Sequence, residues 1–229
     1  MNFQTARTYL KSLVGRDIFL TNEGNQPTEF HGTSYGGWAI LAGSLHAGSK
    51  VISVGIGEDA SFDLSLIAKY GCTIQAFDPT PKSAEWVRNH VKDERFVFHE
   101  QALTDHNGTL RLYLPARADF VSASLKPGSH VSGDYVDVPC LRLNTLLESL
   151  NLDSADVLKI DIEGAEYQVI ADGLKSGALG SVHQLLIEFH HHMPAFAVAE
   201  TRFAVESLRG SGWRIGWLSP SHHEVLFVK

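Results

Sequence analysis

The stretch VISVGIGEDASFDLSLIAKYGCTIQAFD, residues 51–78, decides the reading of the fold. VISVG (51–55) is an unbroken apolar run of strand length, rich in β-branched residues. DASFDLSLIAKYG (59–71) places Phe62, Leu66 and Ile67 at helical spacing and ends on Gly71, a helix stop. TIQAF (73–77) is a second strand. A strand, a helix and a strand in succession make a βαβ unit, whose two strands run parallel.

The same alternation continues outward. Thr80 and Pro81 form a cap and first-turn pair opening a helix through Trp86 and Val87, and RFVFHE (95–100) supplies a third strand. TDHNGTLRLYLP (104–115) carries an Asn-Gly turn and an alternating strand, and residues 115–135 mix Ser, Gly, Pro and charge in a loop that could serve the acceptor side of a site. After the half-buried helix LNTLLESL (143–150), a second βαβ unit follows: DVLKIDI (156–162), a helix from near Gly164, and SVHQLLIEF (181–189). Beyond a helix around Phe203–Leu208, GWRIGWLS (212–219) and HEVLFVK (223–229) lie too close for a parallel crossover and must form an antiparallel hairpin. The expected fold is therefore α/β and Rossmann-like. It has a mostly parallel, seven-stranded sheet with a C-terminal antiparallel hairpin and helices on both faces. With no repeat or linker, residues 1–229 read as one domain, a helical extension (1–48) before the core (49–229).

Bulk properties narrow the function classes. The 229 residues are 44% hydrophobic and 20% charged, enough to bury a sizeable core. The formal net charge is −7 and the cations are scattered, which argues against nucleic acid as a partner. No apolar run approaches the roughly 20 residues of a membrane span, and MNFQTARTYLKSLVG (1–15) reads as an amphipathic helix instead of a cleavable signal, so a cytoplasmic protein without a membrane partner is expected. Cys72 and Cys140 have no metal-site spacing and read as reduced, half-buried thiols.

Candidate site residues collect at the strand ends. Gly55 and Gly57 let the backbone turn sharply against a ligand, and Asp78, closing the second strand, can accept hydrogen bonds from ribose hydroxyls. Gly55, Gly57 and Ala60 also satisfy a loose dinucleotide pattern, but Glu58 and Asp59 put two carboxylates where a pyrophosphate would bind and suit a positively charged ligand better. Both acids could instead merely cap the helix dipole. Ala102 and Leu103 could line an adenine face, and Asp161 and Glu163 end the fourth strand beside the switch point where open sheets bind ligands. Alternation along the fifth strand puts Glu188, His190 and His192 on one face and His191 on the other.

At KIDIEGAE (159–166) the chain resembles the FkbM-type methyltransferases, whose members methylate oxygen on sugars and natural products. The likeness runs through SVGIGEDASFD (53–63), FDPTP (77–81), QALTDHNGTLRLYL (101–114) and LLIEFH (185–190), and covers about residues 30–190. It implies a class I methyltransferase fold, S-adenosylmethionine as cofactor, and cofactor contacts at Gly55, Gly57, Asp78 and Asp161. It also implies that SYGGW (34–38), with Gly36 and Gly37, folds over the cofactor, making the first 48 residues a lid as well as an extension. Many members carry an Asp where this chain has Ser53, which leaves Glu58 or Asp59 to supply the acidic contact.

Methyl transfer needs an aligned acceptor oxygen and a base. The candidate base is His190, oriented by Glu163 or Glu188, acting on a small-molecule or sugar acceptor. Three adjacent histidines could instead be a solvated strand exit, or two of them with a carboxylate could hold a divalent ion. A nicotinamide-dependent oxidoreductase and a non-catalytic cofactor-binding module are the rival readings.

Overall fold

A computed structural model describes residues 3–115, 131–193 and 196–229. The helix α1 (Phe3–Leu13) and a two-stranded antiparallel sheet of β1 (Thr28–His31) and β2 (Trp38–Leu41) precede the core. The segment before residue 49 thus contributes a hairpin as well as the expected helix. Of α1 only Thr8 is buried, and the apolar Phe3, Leu10 and Leu13 face outward.

The first βαβ unit runs β3 (Lys50–Val54), α2 (Ser61–Tyr70), β4 (Thr73–Phe77), and is followed by α3 (Pro81–His90) and β5 (Phe96–His99). α2 stops at Gly71, whose φ of 71° lets its N–H reach back to the Ile67 carbonyl. α3 begins at Pro81 as expected, but the hydroxyl of Thr80 donates to Asp78 and does not cap the helix. Further on come α4 (Leu143–Ser149), β9 (Ala155–Ile160), α5 (Glu166–Ser176), β10 (Val182–Glu188), α6 (Val198–Gly210), β11 (Arg214–Leu218) and β12 (Glu224–Val228).

Seven of these strands form one sheet in the order β11-β12-β10-β9-β3-β4-β5. β5, β4, β3, β9 and β10 are mutually parallel, β12 runs antiparallel to β10, and β11 antiparallel to β12. The expected terminal hairpin therefore closes one edge. Strand alternation gives each sheet face its own core. Ile52, Val54, Leu158 and Ile160 pack with Leu146 of α4, Ile170 of α5 and Leu208 of α6. Val51, Val157 and Leu186 pack on the other side with Phe62, Leu66 and Ile67 of α2 and with Trp38 and Ile40 of β2. These clusters are almost wholly dry and supply the dominant folding term.

A third sheet was not foreseen. β6 (Ala102–Leu103), β7 (Gly108–Pro115) and β8 (Val131–Leu141) join in the order β6-β8-β7. β7 and β8 pair antiparallel from Gly108↔Cys140 to Pro115↔Val131. The expected loop over 115–135 is thus shortened, because residues 131–135 belong to a strand; 116–130 lie outside the described residues, as do Pro194 and Ala195 of MPAF. Cys72 and Cys140 are free, and they are fully buried, not half-buried.

Candidate functional site

A cavity of about 740 Å³ opens where the parallel strands β3, β4 and β9 end, and every candidate site residue lines it: Gly36, Gly37, Gly55, Gly57, Glu58, Asp59, Asp78, Ala102, Leu103, Asp161, Glu163, Glu188 and His190. Its volume falls within the range of small-molecule sites.

The floor is the glycine turn after β3. Gly55 has φ of 83° and Gly57 of 58°, and a Cβ on Gly55 would collide with the carbonyl oxygen of Asp161. Glycine is therefore imposed by the approach of two strand ends. Asp78 holds this turn: its Oδ2 accepts from the N–H groups of Ile56 and Gly57, each at 2.9 Å. Its Oδ1 accepts from the Thr80 N–H at 2.9 Å and the Thr80 hydroxyl at 2.7 Å. These bonds use the roughly four acceptor positions of a carboxylate, so ribose hydroxyls would have to exchange with some of them. Asp78 shapes the pocket as well as lining it, a role the sequence did not suggest.

Neither acid of the turn is idle. Glu58 pairs with Lys82 at 3.1 Å. Asp59 accepts from the Ser61 N–H at 2.7 Å, at the start of α2, and from the Thr33 hydroxyl at 2.9 Å. Burial would raise the Asp59 pKa, but these hydrogen bonds and the charge of Lys159 hold it below its ordinary value. Through Thr33 the same residue fastens the 33–38 turn over the cavity. A Cβ on Gly36 would come within 2.7 Å of the Asp59 carboxylate, so glycine also permits that closure. Ser53 is fully buried and takes no part in lining the cavity. Ala102, Leu103, Leu110 and Leu112 add apolar lining to the cavity.

Lys159 is not among the candidates that the strand-end pattern offers, although a charge inside the apolar run DVLKIDI is an available signal. It is 5% exposed, donates to the Gly55 carbonyl, lies 3.8 Å from Asp161 Oδ2, and sits 5.7 Å from the Trp38 ring centroid. Behind the turn Asp63 is buried, and that burial pushes its carboxyl up to about 6 against the opposing charge of Lys159.

The turn after β9 places the acids. Glu163 adopts φ of 52°, a left-handed conformation rare outside glycine, which marks backbone strain at the cavity rim. His190, 3% exposed, stands beside this turn. Its Nε2 lies 3.6 Å from Glu163, 3.7 Å from Asp161 and 3.9 Å from Glu188. The expected orienting residues are therefore near the ring without hydrogen-bonding it. Glu166 does that work: its Oε1 accepts the His190 backbone N–H at 2.9 Å and meets Nδ1 at 3.3 Å, while Oε2 accepts the Gly164 N–H at 2.7 Å. Glu166 is wholly buried at the start of α5, where the helix dipole favours a carboxylate.

Burial alone would lower the His190 pKa, but the hydrogen bond to Glu166 and the charges of Glu166, Glu188 and Glu163 overcome it and raise the value to about 10. Burial, then the charge of Asp161, pushes Glu188 up to about 9. His190 and Glu188 thus both hold their protons more tightly than they ordinarily would. Asp161, Glu188 and His190 also bring ligand atoms within 4.8 Å of one another, one His and two carboxylates, not the two His and one carboxylate that the sequence suggested.

The sequence matches the methyltransferase FkbM domain over residues 48–226. The chain belongs to the FkbM methyltransferase family. It is 29% identical over 157 residues to the probable methyltransferase-like protein 24 of Rattus norvegicus, covering 68% of this chain and 37% of that protein. Identity to the Homo sapiens counterpart is 28% over 151 residues, covering 66% and 35%. The chain thus aligns with little more than a third of these longer relatives. The crystal structure of methyltransferase FkbM from Methylobacillus flagellatus KT is similar in fold, with a TM-score of 0.51 at 14% identity over 81% of this chain and 44% of that one. Family membership sets aside the nicotinamide oxidoreductase reading.

Proposed function

We propose that this chain is an S-adenosylmethionine-dependent methyltransferase that methylates a hydroxyl oxygen of a small-molecule or sugar acceptor. The observation that carries the proposal is the buried His190 at the cavity wall, held by Glu166 and ringed by Asp161, Glu163 and Glu188.

The residues present fit the cofactor. An apolar wall at Ala102 and Leu103 suits an adenine, Asp78 can exchange its loop bonds for ribose hydroxyls, and the acids at the strand ends suit a positively charged sulfur. Bound there, S-adenosylmethionine would supply an activated methyl group for in-line attack by an acceptor oxygen. The chain's own task is to align the acceptor and take up the proton its oxygen loses. The protein's charges hold His190 protonated at neutral pH, so a base role requires that proton to leave first. A positive charge brought near Asp161 and Glu163 would compete with the imidazolium for the same carboxylates and favour that loss.

Replacing His190 by Ala should cut turnover and leave S-adenosylhomocysteine affinity nearly unchanged, because its role falls on the transition state. Unchanged turnover would remove His190 from the mechanism. Asp78→Ala should weaken S-adenosylhomocysteine by about 1–3 kcal/mol in calorimetry, the scale for lost charged hydrogen bonds. Unaltered affinity would overturn the cofactor assignment at that residue.

A further inference from the structure

On the far side of the strand exit from His190, three residues converge that the cavity does not use. Asp17 follows α1, His191 follows β10, and His223 precedes β12. The side chains of His191 and Asp17 are 0% and 3% exposed, and that of His223 is 17% exposed. His191 Nε2 lies 2.8 Å from Asp17 Oδ1, and His223 Nε2 lies 3.5 Å from the same oxygen. All three offer ligand atoms within 4.8 Å of one another.

Two further observations point to a ligand. His223 Nε2 is buried without a hydrogen-bond partner among the described residues, and a buried ring nitrogen in that state calls for an ion or a water. The other nitrogen of His191 is already fixed: Nδ1 meets the Thr201 hydroxyl at 3.0 Å, which in turn meets the Tyr167 hydroxyl at 2.9 Å. Metal-ligating histidines are held in this way by an outer partner on the nitrogen that does not bind the metal.

We propose that Asp17, His191 and His223 form a site for a divalent transition-metal ion of the zinc type, separate from the cavity. Two imidazoles and a carboxylate select such an ion over calcium or magnesium, which prefer all-oxygen sites. Zn–N and Zn–O bonds of about 2.1 Å give a tetrahedral edge of about 3.4 Å; the 3.5 Å between His223 and Asp17 matches it, and the 2.8 Å hydrogen bond between His191 and Asp17 would open by about 0.6 Å on binding. Lys11 pairs with Oδ2 of Asp17 at 3.6 Å and leaves Oδ1 to face the imidazoles. The ion would join the segment after α1 to the exit of β10 and the entry of β12. Through His191 it would also fix the turn that presents His190 to the cavity.

The whole chain, stripped with a chelator and desalted, is titrated with Zn2+ by calorimetry and with Co2+ by visible absorption. One equivalent per chain is expected for both ions, together with protection of the first 20 residues from protease when Zn2+ is present. His223→Gln should weaken Zn2+ by more than about 100-fold, beyond the effect of losing an outer partner, while His190→Gln leaves it unchanged. Asp17→Asn, nearly isosteric, gives the same reading should His223→Gln fail to fold. Failure of the wild-type chain to take up one equivalent would overturn the proposal. So would loss of binding in His190→Gln with retention in His223→Gln, which would put the ion on the cavity cluster.

Discussion

Raising the pH from 6.5 to 10 should destabilise the protein, with His190 and the neighbouring Glu188 as the joint source of the loss. Burial pulls its pKa down, yet Glu166 and the neighbouring charges of Glu188 and Glu163 lift it to about 10 from an ordinary 6.5. The folded chain therefore holds this proton more tightly than the unfolded chain does. The resulting stabilisation is fully present below pH 6.5 and is lost as the pH climbs through about 10. At about 1.36 kcal/mol per pKa unit, the ceiling is about 5 kcal/mol. Glu188, pushed up to about 9 chiefly by burial, acts in the same direction and shares the same cluster, so the two contributions overlap. Urea unfolding of the wild type and of His190→Gln at both pH values isolates the effect, since the amide keeps a polar group of similar reach without the charge. The variant should be less stable by several kcal/mol at pH 6.5, within that ceiling, and the two proteins should converge near pH 10. Parallel stability curves across the range would refute the reasoning.

Two further substitutions test the frame of the cavity. Gly55→Ala combines a φ of 83° with a collision against the Asp161 carbonyl; it should destabilise by more than the roughly 1–3 kcal/mol of a strained backbone, and an unshifted melting temperature would contradict this. Lys159→Met strips the buried cation from Asp161 and the Gly55 carbonyl. Chemical denaturation should show a loss of about 1–3 kcal/mol, the scale for a buried acceptor left without its donor, and equal stability would mean that the Gly55 carbonyl finds another donor.

The main sheet was legible because parallel strands covered on both faces read as apolar runs, as in VISVG and SVHQLLIEF, with helical spacing between them. The short gap around Pro220 fixed the terminal hairpin for a purely geometric reason. The β6-β8-β7 sheet was obscured because VSGDYVDVPCL mixes Gly, Asp and Pro into a strand with one exposed face, which imitates a loop. The strand-end acids and glycines could be located because their spacing places them at one edge of the sheet. Their partners could not: Glu166 reaches His190 across 24 residues, and Asp78 meets the turn across 22. Such pairings depend on how strand ends pack, and no local pattern encodes them.

The exit of β10 sends consecutive imidazoles into two different compartments: His190 to the acids of the cavity, and His191 to Asp17 and Thr201. Chain length there acts as a reading frame. Inserting or deleting a single residue between Phe189 and His192 would offset which side chains enter the two compartments and break the contacts of both. Homologues that use both compartments should therefore keep the length of this stretch together with the two imidazoles.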